Sequence, residues 1–328
     1  MTLDFTALLA ETLRLRDARA NNRSQESTMP IRRRVFLKGL TCAPLAAGLI
    51  ASSQRPADAK PKAPKQLDRV IGITTGSLNH QRETRELTAL TLPAFVRDQL
   101  GMQLIDLNTR WLESFEKEYV RRVSSAVDEA GCYITNLKVN HPFGDLYSPR
   151  EPERRKALDN AYRLIDVARE LGARWIRFTV PKVPAGDEGE ELLTAHRQLA
   201  MFGKPRGVQL LVENLGWLKS DADSIKRVVM AIGANVAACP DTGNWDDGIR
   251  YLGLTKSFPG AASCDFKVYD IDADGRHKKY DIRRCFDIAW RAGFRGPWAI
   301  EHWNEDTKAF ARETVFLRDQ LRQWMSES

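Results

Sequence analysis

The chain is poor in the residues that soft-metal and redox chemistry need. Its 328 residues include five cysteines and five histidines. No two cysteines stand in C-x-x-C spacing, which argues against a zinc knuckle or a redox pair of that kind. His80, His141, His196, His277 and His302 are scattered along the chain, too few and too far apart for a multi-zinc nuclease centre. No apolar run reaches the roughly 20 residues that a bilayer-spanning helix requires, so no stable membrane span is expected. No G-x-G-x-x-G follows the first apolar strand, which counts against an open dinucleotide-binding sheet. A one-sided charge is missing too, once the N-terminus is set apart. Residues 1–65 carry 12 Lys/Arg and 5 Asp/Glu, whereas residues 66–328 carry 38 of each. The basic excess therefore belongs to the N-terminal segment, and the remainder lacks a nucleic-acid footprint.

That segment has its own organisation. Arg32-Arg33-Arg34-Val35-Phe36-Leu37-Lys38 precedes a short, weakly apolar stretch from Leu40 to Ser53, and Ala57-Asp58-Ala59 follows. A basic region, a short apolar region and an A-x-A site are the parts of a secretory signal. The paired arginines followed by Phe36 and Leu37-Lys38 resemble a twin-arginine signal, with Arg32 where Ser or Thr is usual. Residues 29–59 are thus expected to be an export signal read by the twin-arginine machinery, with a periplasmic or secreted product. Residues 1–28 lie ahead of Met29 and have the look of a mis-called start; residues 60–67, with Pro61, Pro64 and three lysines, form a linker. Cys42 leaves with the signal, and Cys132, Cys239, Cys264 and Cys285 are expected as buried free thiols.

From residue 68 onward the pattern is regular. Strands are expected at Val70–Thr74, Gln103–Leu107, Tyr133–Leu137, Trp175–Phe178, from Gln209, from Asn235, at Gly260–Lys267 and at Trp298–Glu301. Helices are expected near 92–100, 115–130, 153–171, 190–202, 222–232, 245–252, 282–292 and 307–324, the second of them on a stripe of Phe115, Tyr119, Val123 and Val127. Eight strands alternating with eight helices over about 260 residues predict an α/β fold, a (β/α)8 TIM barrel.

Four of the strands end in acids. Gln209-Leu210-Leu211-Val212 runs into Glu213, Asn235 to Pro240 into Asp241, Cys264 into Asp265, and Trp298-Ala299-Ile300 into Glu301. Successive acids are 28, 24 and 36 residues apart, one per βα unit. In a closed barrel the strand C-termini share one face, so these carboxylates converge there. Ionised carboxylates a few ångströms apart repel, and a divalent cation is the simplest compensation. An all-oxygen set favours Mg or Mn over zinc.

Val212-Glu213-Asn214, Pro240-Asp241-Thr242-Gly243-Asn244-Trp245, Lys267-Val268-Tyr269-Asp270-Ile271-Asp272 with Gly275, and Ala292-Gly293-Phe294-Arg295-Gly296-Pro297-Trp298-Ala299-Ile300-Glu301 stand in this order along the chain. Together they resemble the sugar phosphate isomerase/epimerase superfamily, the xylose isomerase-like TIM barrels, over residues 68–328. The resemblance implies a divalent metal held by Glu213, Asp241, Asp265 and Glu301. Asp265-Phe266-Lys267 stands where the family has H-x-K, and Asn244 where many epimerases have His.

The chemistry that follows is proton abstraction beside a carbonyl through an enediolate, by which a sugar or sugar derivative is isomerised or epimerised. Glu213 and Glu301 would be the acid and base on opposite faces. Expulsion of a leaving group from the next carbon would make the same site a lyase on keto-glycosides; a carbohydrate-binding barrel without catalysis is the third reading. Export argues against a phosphorylated substrate. Lys267 either pairs with Asp265 or contacts a substrate oxygen or anion. His141, Asn214 and Asn244 are candidate substrate contacts; Trp111, Trp217 and Trp245, with Trp303, are candidate stacking faces for sugar rings. Arg177 is expected as an internal ion-pair partner, and His302 alternates outward from Glu301.

Overall fold

The computed structural model describes residues 66–328 apart from 141–142, 147, 180–187 and 273. The expected extension, the export signal and nearly all of the linker lie outside the described residues, as does His141. The strands are β1 (Ile71–Thr74), β2 (Leu104–Asn108), β3 (Tyr133–Val139), β4 (Trp175–Phe178), β5 (Gln209–Val212), β6 (Val236–Ala238), β7 (Cys264–Lys267) and β8 (Trp298–Glu301). All pair in parallel, in the order β6-β5-β4-β3-β2-β1-β8-β7. The sheet curls until its edge strands meet at two isolated parallel bridges, Ala238 with Ala261 and Asp241 with Asp265. This is the expected (β/α)8 TIM barrel.

Nine α-helices are described: α1 (Asn79–Glu83), α2 (Leu92–Asp98), α3 (Lys117–Glu129), α4 (Glu151–Glu170), α5 (Glu188–Gly203), α6 (Ser224–Ile232), α7 (Arg250–Ser257), α8 (Ile282–Arg291) and α9 (Thr307–Glu327). The short α1, in the loop after β1, has no counterpart in the sequence reading. In α8, Asp281 caps the helix by accepting from the Arg284 amide at 3.0 Å, and Ile282, Cys285, Phe286 and Ala289 are buried at i, i+3, i+4 and i+7. Their aromatic member packs on Trp298 of β8 at 5.2 Å and on Trp324 of α9 at 5.5 Å between ring centroids. Gly172, at φ +76°, follows the last turn of α4 and ends it as expected. All four cysteines of residues 66–328 are buried and free.

Two expectations differ. The stripe of α3 is Val120, Val123 and Val127; Phe115 precedes the helix and is exposed. The helix expected at 245–252 begins only at Arg250, because the Asp241 carboxylate accepts the amides of Gly243 at 2.7 Å and Asn244 at 3.0 Å. That turn holds the following residues out of helix, and Trp245 then folds back until its ring lies against Gly253 of α7.

The alternation of each strand sorts its side chains. Ile73, Ile105, Leu137, Ile176, Leu210, Val212, Phe266 and Ile300 point outward into the main core under the helices. Leu104, Tyr133, Trp175, Leu211, Ala237 and Cys239 point inward and, with Leu67, form a second apolar cluster. The inward positions nearer the strand C-termini are polar: Thr74, Asp106, Lys138, Arg177, Glu213, Asp241 and Asp265 are all buried. An apolar floor therefore closes the barrel beneath a layer of charges.

Gly72 is what lets Leu104 into that floor. A Cβ there would lie 2.3 Å from Leu104 Cδ2 and 2.4 Å from the Leu104 carbonyl oxygen, and the backbone cannot yield as a side chain can. Gly72→Ala is expected to destabilise the barrel by about 3 kcal/mol or more, the upper part of the overpacking range. Urea unfolding of the two proteins measures this, and an unchanged midpoint would mean that the strands slide apart freely.

Candidate functional site

Glu213 follows β5 directly, Asp241 stands in the loop after β6, Asp265 is the second residue of β7, and Glu301 is the last of β8. The fold thus brings all four acids to the C-terminal mouth. Glu213, Asp241 and Asp265 each place a carboxylate oxygen within 4.8 Å of the others, and all three are buried. Glu301, the fourth acid of the expected ligand set, stands outside that group.

Every acid has a cation beside it. The Lys138 ammonium, from β3, lies 2.5 Å from Asp265 Oδ1, donates to Thr74 Oγ1 at 3.1 Å, and is 4.0 Å from Asp106 Oδ2. Arg177 Nε, from β4, is 2.8 Å from Glu213 Oε2. Lys267 Nζ is 2.9 Å from Asp241 Oδ2 and 3.3 Å from Glu301 Oε1. Lys267 therefore does not pair with Asp265, the alternative the sequence left open: the two side chains share a strand face, but Lys138 reaches Asp265 from across the barrel. Arg177 is an internal ion-pair partner.

The two asparagines are committed to protein contacts. Asn214 is fully buried, its amide donates to the Asp241 carbonyl at 2.9 Å, and its carbonyl accepts the Asp241 amide at 2.7 Å. It fixes the loop that carries Asp241, which differs from the expected substrate contact. Asn244 donates to Glu213 Oε1 at 3.0 Å and accepts from Lys267 at 2.6 Å, bridging acid and cation.

The expected stacking faces fare differently. Trp111 and Trp245 are each only 2 % exposed, with Trp111 donating to the Thr75 carbonyl at 3.1 Å; both are packed in the core, not displayed at the mouth. Trp217 is half-buried and shares with Arg177 and Glu213 a cavity of about 30 Å³, room for one water. Trp303 is 50 % exposed. His302 points away from the acids: Nδ1 bonds the Val268 carbonyl at 2.6 Å and Nε2 meets Glu313 at 2.7 Å. The roomier grooves, one beside Lys117–Glu129 and one between α7 and α8, hold none of the four acids.

Three participants escaped the sequence reading: Asp106, Thr74 and Tyr269. Asp106 stands on β2 between apolar neighbours, at an inward position, and accepts from Thr135 at 2.6 Å and Asn136 at 3.4 Å. A lone acid in an apolar strand was the available signal. Tyr269 donates from its hydroxyl to Glu301 Oε1 at 2.6 Å, a contact that no spacing announces.

Burial sets the charge states. It pushes the Asp241 carboxyl up to about 6 against the pull of Lys267, and pushes Asp265 well above the usual range despite Lys138. Asp106 is raised for the same reason. Glu301 goes the other way: burial works to raise it, but Lys267, Lys138 and the Tyr269 hydrogen bond outweigh that and hold it below the usual range.

The residues fit a hard divalent cation. One buried oxygen on each of Glu213, Asp241 and Asp265 (Oε2, Oδ2 and Oδ2) has no hydrogen-bond partner. For Glu213 and Asp241 the neighbouring cation lies off the hydrogen-bond direction, and such orphaned oxygens are costly unless something takes them up. Five carboxyls, Asp106, Glu213, Asp241, Asp265 and Glu301, share the three cations Lys138, Arg177 and Lys267, and burial raises Asp106, Asp241 and Asp265 against them, a shift that a divalent cation would oppose. Glu213, Asp241 and Asp265 could hold the ion, and their all-oxygen set suits Mg or Mn.

No curated protein matches the chain. Solved structures of the same fold include D-psicose 3-epimerase from Clostridium cellulolyticum H10 with D-tagatose, at 14 % identity and a TM-score of 0.58 over 77 % of this chain and 98 % of that one. The apo form of 3-keto-D-glucoside 4-epimerase from E. coli gives 14 %, 0.58, 77 % and 98 % in the same terms. A xylose isomerase-like TIM barrel protein from Mycobacterium smegmatis in complex with magnesium gives 18 %, 0.57, 78 % and 97 %. Identities this low speak to the fold alone. Residues 98–325 match the family model described as xylose isomerase-like TIM barrel, and on that match the chain belongs to the xylose isomerase-like TIM barrel family.

Proposed function

We propose that the protein is a metal-assisted isomerase or epimerase of an unphosphorylated sugar or sugar derivative, working by proton abstraction next to a carbonyl. The observation that carries this reading is the trio of orphaned oxygens on Glu213, Asp241 and Asp265 beside an ionised, separately held Glu301. The epimerases among proteins of this fold support the same class. A divalent ion in the triad would supply Lewis-acid polarisation of a carbonyl and its neighbouring hydroxyl.

The protein's own residues do the rest. Glu301 is the base: its side chain is 16 % exposed at the mouth, and the hydrogen bond from the Tyr269 hydroxyl aims it. Its free oxygen takes the proton from the carbon beside the carbonyl, giving the enediolate. Glu213, three strands along the barrel, takes up a proton from solvent and delivers it to the other face, and Glu301 releases its own to solvent before the next turnover, so that the stereocentre is inverted or moved. Arg177 and Asn244 hold Glu213 in place for that return.

Incubating the protein with Mn and a panel of ketoses, aldoses and keto-glycosides in D2O should place solvent deuterium beside the carbonyl of one of them, detected by mass spectrometry. Glu301→Gln should slow that exchange at least about 100-fold, with an unaltered far-UV spectrum. Exchange at the wild-type rate in this variant would remove Glu301 from the role of base; elimination products in place of exchange would move the assignment to a lyase.

Ion removal has a signed consequence for stability. Asp241 has a folded value of about 6, above the 3.8 of a free Asp side chain. Between those values the folded chain binds more protons than the unfolded one, so stability falls as pH rises through the window. In chelator, wild type should lose on the order of 3 kcal/mol relative to Asp241→Asn between pH 4 and 7. Saturating Mg should restore wild type and leave the variant unmoved. Parallel pH profiles for the two chelated proteins would show that Asp241 is not strained by burial.

We also infer export from residues 29–59, on the paired arginines and the A-x-A site. Fused to a reporter that is active only outside the cytoplasm, residues 1–67 should give signal, and Arg33→Lys with Arg34→Lys should abolish it. Reporter activity that survives the double change would exclude the twin-arginine route.

A further inference from the structure

Lys267 occupies an unusual position for a group at an ion-binding mouth. Its ammonium lies 2.6 Å from Asn244 Oδ1, 2.9 Å from Asp241 Oδ2 and 3.3 Å from Glu301 Oε1, so three oxygens from the βα units on either side of β7 surround one positive charge. The route to that position is kept open. The Lys267 stem passes over Gly243, where an added Cβ would fall 2.6 Å from its Cδ and 2.7 Å from its Cγ. The far end has an outlet, since the Lys267 side chain is 15 % exposed.

Lys138 makes a useful contrast. It is 3 % exposed and takes Asp265 by Oδ1, leaving the orphaned Oδ2 untouched. Lys267, by contrast, stands beside Asp241 Oδ2, the very oxygen that Asp241 has to offer an ion. A hard divalent cation needs its oxygens at about 2.0–2.6 Å. An ammonium 2.9 Å from the same oxygen would then be separated from the ion by a few ångströms, and like charges so close in a buried site repel strongly.

We propose that Lys267 is a resident cation that competes with the divalent ion for Asp241, and that ion entry drives its ammonium out of the cradle toward the mouth. The proposal rests on the reading of Glu213, Asp241 and Asp265 as an ion site. Its consequence is that the protein sets its own ion affinity low: the lysine steadies Asp241 and Glu301 when no ion is bound, and that steadying must be given up on binding. The Glu301 carboxylate then exchanges a fixed partner inside the barrel for one displaced toward substrate.

Titration of the full chain, stripped with chelator and then freed of it, with Mn followed by the electron paramagnetic resonance signal of the free ion, tests this. Lys267→Met and Lys267→Gln should each lower the Kd for Mn at least about tenfold. The glutamine variant retains hydrogen bonding to Asp241 and Glu301 should the methionine variant fail to fold, and far-UV spectra establish folding. Mn binding that appears only in the variants supports the proposal equally. An unchanged or higher Kd in a folded variant overturns the competition and leaves the ion site standing. If wild type and both variants all lack a saturable Mn site that Asp241→Asn removes, the ion site and the competition fall together.

Discussion

The structure turns on the cost of crowding carboxylates into one dry mouth. Removing an ionised carboxylate from water costs several kcal/mol even after relaxation, and this barrel gathers Asp106, Glu213, Asp241, Asp265 and Glu301 in one layer. The surrounding polar contacts read as answers to that cost. Lys138, Arg177 and Lys267 each reach an acid from another strand, backbone amides of Gly243 and Asn244 serve Asp241, and Tyr269 serves Glu301. The hydrogen bonding is incomplete at three oxygens, of which Glu213 Oε2 and Asp241 Oδ2 meet a cation and Asp265 Oδ2 meets none, and their carboxylates lie together.

Asp265 is answered from across the barrel: Lys138, on β3, pairs with its Oδ1. Its carboxylate lies with those of Glu213 and Asp241 in a group of oxygens alone. Glu301 stands apart from that group, and Lys267 and Tyr269 hold it below the usual carboxylate range. The acids of one mouth thus differ in the partner that each one keeps.

The floor of the barrel closes the charged layer from below. Leu104, Tyr133, Trp175 and Leu211 seal the lower end, and the absence of a side chain at Gly72 admits Leu104. The same strands that carry Leu104, Trp175 and Leu211 inward carry Asp106, Arg177 and Glu213 two positions later, and β3 carries Lys138 above Tyr133. Apolar plug and charged layer are thus consecutive turns of one alternation. Low dielectric below strengthens every electrostatic contact above it.

Much of the architecture was legible along the chain because it is written in local periodicity. Trp175–Phe178 and Trp298–Glu301 have the bounds their apolar runs indicate, Gly172 ends its helix, and acids one βα unit apart arrive at one mouth. Trp111, Trp245 and Asn214 show where that reading stopped. Position just after a strand places a residue near the mouth but does not say whether its ring turns in or out, or whether its amide is taken by a loop. The pairing of Lys138 with Asp265, 127 residues away, and of Tyr269 with Glu301 had no local trace at all. The sequence by itself determined the barrel and the meeting of its acids, since both follow from repeats along one dimension. Only the tertiary structure decided which cation neutralises which acid and which oxygens lack a hydrogen bond, because those depend on side-chain distances in space, between consecutive strands for Arg177 with Glu213 and across the barrel for Lys138 with Asp265.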